Sequence, residues 1–149
     1  MQADMEALVT DWDPEAFTRG LLADMRAHGG EITSGPMAGR PLLLLTTKGA
    51  KSGEERTAIV TFTRDGDNYV VAASKSGAPT NPAWYHNILA DPIVTVEAEG
   101  RASKARATVV DDTDRQRLWD RHVEARPEFA DYPAMSGRII PVITLERLD

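Results

Sequence analysis

The stretch at residues 57–74, TAIVTFTRDGDNYVVAAS, decides the fold. Two runs rich in β-branched and aromatic residues, 57–63 and 69–74, flank a short polar turn at 64–67. Residues of these types favour strands, and the Asp65-Gly66 pair in the turn suits the positive φ that a tight hairpin needs. The stretch therefore predicts a β-hairpin, and with it an antiparallel sheet.

Four further segments outside the hairpin have strand patterns. Residues 42–47 form an apolar run, residues 93–98 and 101–110 alternate on either side of Glu99-Gly100, and residues 139–146 form the last strand. Strands do not alternate one-for-one with helices, which disfavours a doubly wound parallel sheet. About six short antiparallel strands close most economically as a small barrel, because closure hides their edges. The predicted fold class is therefore α+β.

Three helices are predicted around this sheet. The first begins at Asp13-Pro14 and ends at Gly29-Gly30. Its apolar stripe consists of Phe17, Leu21, Leu22 and Met25. The second opens at Asn81-Pro82 and the third with a capping box at residues 113–116, ending before Pro127. The inner face of the third consists of Leu118, Trp119, His122 and Val123. We predict a flexible N-terminus at residues 1–12 and one domain at 13–149.

The first helix, at residues 13–28, has three interpretations: packing on the core, a lid over a site, or contact with a membrane surface. Its polar face mixes acidic and basic residues, whereas surface-seeking helices are mostly basic. Core packing is the interpretation we favour. A weak contact with the inner face of the plasma membrane stays open.

The composition excludes several function classes. The chain has 149 residues, no cysteine and a net charge of −6, which argues against nonspecific nucleic-acid binding. Its three histidines lie far apart in sequence, so no metal site is expected. Neither a secretory signal nor a membrane-spanning run is visible. We therefore expect a cytoplasmic protein without a metal.

Two loops carry residues suited to binding an anion. The first, at 47–56, combines flexible glycines with Lys51, Ser52 and Arg56, a set that suits a phosphate or carboxylate. A charged hairpin loop is the alternative interpretation. The second, at 72–87, joins small residues at a strand end to Lys75 and to a helix start that carries Asn87. Small residues leave space for a flat ligand against the backbone. For Trp84 and for Tyr85, each considered alone, packing in the core is the interpretation we favour.

The strings TTKGAKSGEER and VAASKSGAPTNPAWYHN in these loops resemble the deazaflavin-dependent nitroreductase family. The resemblance runs from about residue 42 to the end, with DPIVTV at 91–96 and RIIPV at 138–142 as further motifs. It implies a split β-barrel and coenzyme F420, an 8-hydroxy-5-deazaflavin. It also implies hydride transfer from the reduced coenzyme to a quinone, a nitroaromatic or another electrophile.

The resemblance implies coenzyme contacts in three places. The first loop and the strand after it would hold the phosphate, the oligoglutamate tail and one ring edge: Ala50, Lys51, Ser52, Arg56, Thr57, Ala58, Ile59, Val60 and Thr61. The small-residue strand end would meet the ring and the ribityl phosphate: Ala72, Ala73, Ser74 and Lys75. The helix start would close the site, with Asn87 as a hydrogen-bonding side chain: Ala83, Trp84, Tyr85, His86 and Asn87.

The chain departs from the family pattern at three places. Ala50 stands where many members carry a basic residue, and Ile59-Val60 replaces a usual Pro-Leu pair. Of the aromatic cluster found in prodrug-activating members, only Tyr132 keeps a phenol, so activation of bulky nitroimidazoles is in doubt. Tyr132 is the candidate proton donor, with core packing or coenzyme stacking as alternatives.

Three rival functions remain open at this stage. They are an FMN-binding split-barrel oxidoreductase, a non-catalytic F420 carrier and a peripheral membrane protein. A homodimer is also open, since small barrels often pair through an edge. If the protein binds a deazaflavin as the resemblance implies, Lys51, Arg56 and Lys75 should share one groove at the barrel rim.

Overall fold

The predicted antiparallel sheet is present and has seven strands. The computed structural model describes residues 19–20, 23–25, 27–28 and 41–148. The strands are Leu42–Lys48 (β1), Glu55–Thr61 (β2), Thr63–Asp65 (β3), Asn68–Ala72 (β4), Ile93–Ala98 (β5), Arg101–Val109 (β6) and Val142–Arg147 (β7). The helices are Ala83–Ala90 (α1), Asp112–Ala125 (α2) and Tyr132–Ser136 (α3), with 3₁₀ turns at Lys75–Gly77 and Pro127–Asp131.

The strand order makes the sheet curl into a split barrel. The order is β2-β1-β5-β6-β7-β4-β3, and every neighbouring pair is antiparallel. β2 and β3 lie at opposite ends of this order, yet Phe62 alone joins them along the chain. The two ends of the sheet must therefore meet, which confirms the predicted α+β barrel.

The prediction of one strand over residues 57–63 is wrong, because the chain changes partner at Phe62. The Phe62 N–H donates to the carbonyl of Pro41 at 2.9 Å. Its ring packs edge-on against Tyr69, with centroids 5.0 Å apart. β2 then pairs with β1, while β3 pairs with β4. This corner explains why the sheet has seven strands rather than about six.

Apolar side chains fill the barrel and cover one outer face. Leu43, Leu45, Val71 and Ile143 form part of the interior, into which α1 inserts Trp84. On the outside, α2 packs its apolar face against β4 and β7. That cluster consists of Val70, Ala72, Leu118, Trp119, Phe129, Ile140 and Val142, with Val123 at its edge. The predicted inner face of this helix is confirmed, since His122 is buried there as well.

Two predicted helix caps are wrong. Asp111 caps α2, because its carboxylate accepts the Asp114 N–H at 3.2 Å. Pro82 is the N-cap residue of α1, and the Asn81 side chain accepts a bond from Arg138 instead. A further short helix, α3, occupies Tyr132–Ser136, where the sequence analysis predicts no helix.

Part of the N-terminal helix is described. Residues 19–20, 23–25 and 27 are helical, and Met25 packs on Leu42, Leu44 and Ile59 as core packing predicts. The other stripe residues, the start of that helix and residues 1–12 lie outside the described residues. Within the described ranges, no helix is long and apolar enough to cross a membrane.

Candidate active site

A cavity of about 260 Å³ opens where the barrel is split. We call it the cleft cavity. Its lining comes from the first two strands, the end of β4, the start of α1 and the turn before α3: Leu42, Ile59, Val60, Thr61, Ala72, Ser74, Lys75, Pro82, Trp84, Glu128, Phe129 and Tyr132. The structure thus brings together members of all three predicted coenzyme-binding segments, with Tyr132 beside them.

β2 presents an edge to this cavity. Three consecutive residues, Ile59, Val60 and Thr61, line it, although alternate side chains of a strand point to opposite faces. β2 is the end strand of the sheet, so among the described residues its outer edge has no strand partner. Such an edge carries free backbone N–H and C=O groups. They offer hydrogen bonds to the polar rim of a flat ring.

Small residues make the opposite wall. Ala72 is the last residue of β4, and Ser74 follows it with little exposed surface. Lys75 comes next and is exposed at the cavity. Its φ of 48° lies in the left-handed region, which a non-glycine residue rarely adopts. Unusual backbone of this kind clusters at ligand sites.

Aromatic rings form a third wall. The rings of Phe129 and Tyr132 lie 5.0 Å apart at 62°, and Trp84 is 8% exposed. Tyr132 is half-buried and lines the cavity with its neighbours. Apolar walls with few polar groups are typical of cofactor sites. The polar side chains around this cavity are Thr61, Ser74, Lys75, Glu128 and Tyr132.

A buried histidine supports the aromatic wall from behind. The His122 ring packs perpendicular to Phe129, with centroids 4.4 Å apart. Its Nδ1 lies 2.9 Å from the hydroxyl of Thr63, while Nε2 has no protein partner among the described residues. Burial lowers the pKa of His122 to about 4, with Glu128 raising it and Arg126 lowering it further. The ring is therefore neutral at neutral pH.

The Asn87 side chain bonds two protein groups. Its Nδ2 donates to the Thr47 hydroxyl at 3.0 Å, and its Oδ1 accepts the Ala50 N–H at 3.0 Å. Asn87 is buried and does not line the cleft cavity. These two bonds join α1 to the turn between β1 and β2, and the contact of Asn87 with coenzyme stays a prediction.

The turn itself is tight and uses Ser52 internally. The Ser52 hydroxyl accepts the Glu54 N–H at 3.1 Å. A Cβ on Gly49 would lie 2.6 Å from that hydroxyl oxygen, so a larger residue there would displace Ser52 from this bond. Ala50 and Lys51 are exposed at the tip of this turn.

Of the three predicted cations, the cleft cavity is lined by Lys75 alone, and a groove shared by all three stays a prediction. Lys75 lines the cavity, whereas Arg56 and Lys51 lie toward the other end of β2. Arg56 precedes Thr61 by five positions, which corresponds to about 17 Å along a strand. Its guanidinium pairs with Glu54 at 3.0 Å, and both side chains are about two-thirds exposed. The cations are therefore spread along the length of β2.

The remaining predicted residues lie near the cavity without lining it. Ala58 and Ala73 pack in the barrel, and the Thr57 hydroxyl bonds that of Thr46 at 2.9 Å. Tyr85 is half-buried, and its ring lies 5.7 Å from that of exposed His86. Ala83 is exposed at the first position of α1.

A larger cavity, of about 730 Å³, lies at the other end of the barrel, and no predicted site residue lines it. Its polar groups bond one another. Arg64 pairs with Glu99, which accepts the Tyr69 hydroxyl at 3.0 Å, and Arg147 donates to Tyr69 at 2.8 Å. These bonds connect β3, β4, β7 and the turn between β5 and β6.

Four residues that line the cleft cavity were not among the predicted site residues: Leu42, Pro82, Glu128 and Phe129. Glu128 and Phe129 lie in a segment that shows no regular pattern, and only the fold brings them to β2. Arg138 opens the RIIPV motif, and the motif itself predicts no role for it. A lone arginine before the apolar run at residues 139–143 was the available signal.

The fold is that of a split-barrel protein, and the cleft cavity opens beside its end strand β2. Residues 18–147 match the F420H2-dependent quinone reductase family. An F420H2-dependent quinone reductase of Mycobacterium tuberculosis is 38% identical over 125 residues, covering 82% of this chain and 84% of that protein. The chain belongs to this family.

Two solved structures agree with that assignment. An F420-H2 dependent reductase, FDR-A, has a TM-score of 0.66 and 36% identity, covering 72% of this chain and 95% of that one. A structure described as a domain-swapped dimer has a TM-score of 0.68 and 31% identity, covering 90% of this chain and 100% of that one. The predicted fold, the family resemblance, the oxidoreductase class and coenzyme F420 are thereby confirmed.

Proposed function

We propose that this protein transfers a hydride from reduced coenzyme F420 to a quinone at the cleft cavity. The observation that carries this is the meeting of the β2 edge, the Ala72–Lys75 wall and the Tyr132 turn around one opening. Nitroaromatics are further acceptors to test, since they too are electrophiles of flat shape.

The volume of the cleft cavity determines which part of the coenzyme would lie inside it and which part would lie on the surface. A volume of about 260 Å³ falls just below the usual range of ligand pockets, roughly 300–1,000 Å³. The cavity suits one ring system and leaves the anionic tail outside. The tail would follow β2, where Arg56 and Lys51 lie beyond Lys75. An extended anion needs cations in a line, and this arrangement supplies them.

Each wall has a separate task in this proposal. Ala72 and Ser74 allow close approach of the ring, Phe129 excludes water, and the β2 edge fixes the polar rim. When bound, coenzyme F420 supplies the hydride chemistry. The protein contributes binding, alignment and a dry environment. Lys75 would neutralise a phosphate next to the ring, since an ammonium acts as a point charge.

Tyr132 is our candidate for proton delivery to the reduced acceptor. Its phenol lines the cavity, and its ring is held at an angle against Phe129. A phenol can donate a hydrogen bond to a developing oxyanion. The acceptor would then approach from the exposed side of the ring, next to this hydroxyl.

Turnover of F420H2 with a quinone tests this function. Purified protein is mixed with F420H2 and a soluble quinone, and the return of the oxidised deazaflavin absorbance is followed. We expect a rate that is first order in protein and saturates with quinone. A chain that binds the coenzyme but oxidises none of it across quinones and nitroaromatics would be a carrier instead.

We also infer that the chain pairs with a second copy. The support is a relative of 31% identity whose structure is described as a domain-swapped dimer. Light scattering after size exclusion, at two protein concentrations, measures the mass directly. A monomer mass at both concentrations would overturn the inference.

A further inference from the structure

Arg138 binds the loop that carries Lys75 at several points. Its guanidinium donates to four backbone carbonyls and one side-chain amide, all between residues 73 and 81. The acceptors are Ala73 O at 2.9 Å, Ser74 O at 3.2 Å, Ala78 O at 3.2 Å, Thr80 O at 3.0 Å and Asn81 Oδ1 at 2.6 Å. We call residues 73–81 the lysine loop. Every acceptor in this set is a neutral oxygen, so the arginine acts as a multiple donor and not as an ion-pair partner.

The lysine loop needs such support. Apart from the 3₁₀ turn at Lys75–Gly77, it has no regular structure to satisfy its carbonyls. Lys75 has its φ at 48° and Gly77 at 87°, so two of three successive residues are in the left-handed region. A non-glycine residue keeps that conformation only where its surroundings impose it. The bonds from Arg138 to Ser74 and Ala78 lie on either side of this turn.

A second contact comes from the same side of the cavity. Met135 packs so closely on Gly77 that a Cβ there would lie 3.1 Å from it. The segment between Met135 and Arg138 is itself fixed, because the Ser136 hydroxyl accepts the Arg138 N–H at 3.3 Å. Gly137, at φ 68°, ends α3 and turns the chain toward Arg138.

These contacts join two walls of the cleft cavity. α3 begins with Tyr132, and the lysine loop carries Ser74 and Lys75; all three line the cavity. We propose that Arg138 is a positioning residue that sets where Lys75 and Ser74 lie relative to Tyr132, and so preorganises the coenzyme site. The inference rests on the proposed function for its ligand. It goes beyond that function because Arg138 does not line the cavity.

Only arginine suits this task. Its planar fork offers five donors in fixed directions, whereas a lysine offers three from one point. Arg138→Lys therefore keeps the positive charge but cannot reach all five acceptors at once. Arg138→Ala leaves a space that a soluble alkylguanidinium can enter. Arg115→Ala is the matched control, because Arg115 donates to the Ile140 carbonyl at 3.0 Å.

The experiment has two readouts on the full-length protein. The first is F420 affinity by fluorescence titration. The second is amide hydrogen exchange of residues 74–81 in the coenzyme-free protein. We expect Arg138→Ala to weaken F420 binding by at least 10-fold and to speed exchange in the lysine loop. Arg138→Lys should behave similarly, and Arg115→Ala should do neither. Ethylguanidinium should restore binding to Arg138→Ala and leave Arg138→Lys unchanged.

Two results would overturn the proposal. One is an Arg138→Ala protein that binds F420 within two-fold of the wild type. The other is unchanged exchange of residues 74–81 in both Arg138 variants. If the wild type itself fails to bind F420, the proposed function fails, and the exchange measurement still decides whether Arg138 orders the loop. Should Arg138→Ala not fold, Asn81→Ala removes the shortest bond alone and takes its place in both readouts.

Discussion

The side chain of Asn87 in α1 accepts the backbone N–H of Ala50, 37 residues earlier in the chain, at 3.0 Å. This bond ties α1, whose N-terminal end borders the cleft cavity, to the turn that precedes β2. The two regions proposed to hold the ring and the tail of the coenzyme are thus joined through one buried amide. The relationship explains how an extended binding surface keeps its shape.

Removing that amide should destabilise the protein. Asn87→Ala leaves the Thr47 hydroxyl and the Ala50 N–H without their partner, at a cost of about 1–3 kcal/mol in the free energy of unfolding. Urea denaturation measures it. Asn87→Asp keeps the acceptor for Ala50 but buries a carboxylate and removes the donor to Thr47, so it should also lose stability. Equal stability of all three proteins would show that the bond contributes nothing.

Substitutions of Lys75 should change the stability of the protein and its affinity for F420 in different ways. Lys75→Gly relieves the left-handed φ and should raise the unfolding free energy by up to about 1 kcal/mol over Lys75→Ala. Both variants lose the ammonium, so both should bind F420 more weakly than the wild type, and the difference should shrink at high salt. Lys104→Ala, on β6, is the control that should bind normally. Wild-type affinity in Lys75→Gly would contradict the role given to this cation.

The ion pair between Glu54 and Arg56 should compete with the coenzyme tail. Glu54→Ala removes the carboxylate partner of Arg56, so F420 should bind a few-fold more tightly. Arg56→Ala should weaken binding by a similar or larger factor. Titrations of both variants at low salt give the comparison. Changes of the same sign in the two variants would be inconsistent with a tail along β2.

Tyr132 should affect turnover more than binding. A positioned proton donor contributes about 10²–10⁴-fold to a rate. Tyr132→Phe keeps the ring against Phe129 and removes the hydroxyl, so kcat should fall at least 10-fold while F420 affinity stays within two-fold. Steady-state kinetics together with titration measure both. An unchanged kcat would assign this residue to packing.

His122 should make the fold sensitive to mild acid. Burial holds its pKa at about 4 in the folded protein, below the usual 6.5. The unfolded chain therefore takes up a proton first as pH falls. The His122 contribution is complete above pH 6.5 and is lost as pH drops toward 4, at up to about 1.4 kcal/mol per pH unit.

Urea denaturation between pH 7 and 4.5 measures this dependence. His122→Gln should flatten it, whereas His86→Gln, at an exposed position, should leave it as in the wild type. Identical slopes in the wild type and His122→Gln would rule out this histidine as the source.

The parts of the fold set by local pattern could be predicted from the sequence. β5 was predicted with its observed limits, Ile93–Ala98, because its alternation reflects one buried face and the Glu99-Gly100 turn ends it. The corner at Phe62 could not be predicted. Residues on both sides of it favour strands equally, and only the carbonyl of Pro41 and the ring of Tyr69 fix the change of partner.

The site was predictable in composition and not in arrangement. Small residues, Lys75 and the start of α1 do meet at one cavity, as their motifs indicate. The spacing of residues in the sequence does not show where each side chain lies in the fold, however. The separation of Arg56 and Lys51 from Lys75 along β2 could therefore not be predicted. Nor could the engagement of Asn87 with Thr47, since a polar side chain at a helix start looks the same whether it meets a ligand or a neighbouring strand.

The measurement that tests the central claim most directly is a parallel titration with F420 and FMN. It uses the wild type and a Lys75→Ala/Arg56→Ala double variant, each checked for an intact fold by circular dichroism. We predict that F420 binds at least 10-fold more tightly than FMN. The double variant should lose about 10–100-fold in F420 affinity, because two partly screened charge-assisted contacts are removed. Tighter binding of FMN, or an unchanged F420 affinity in the folded double variant, would contradict the account.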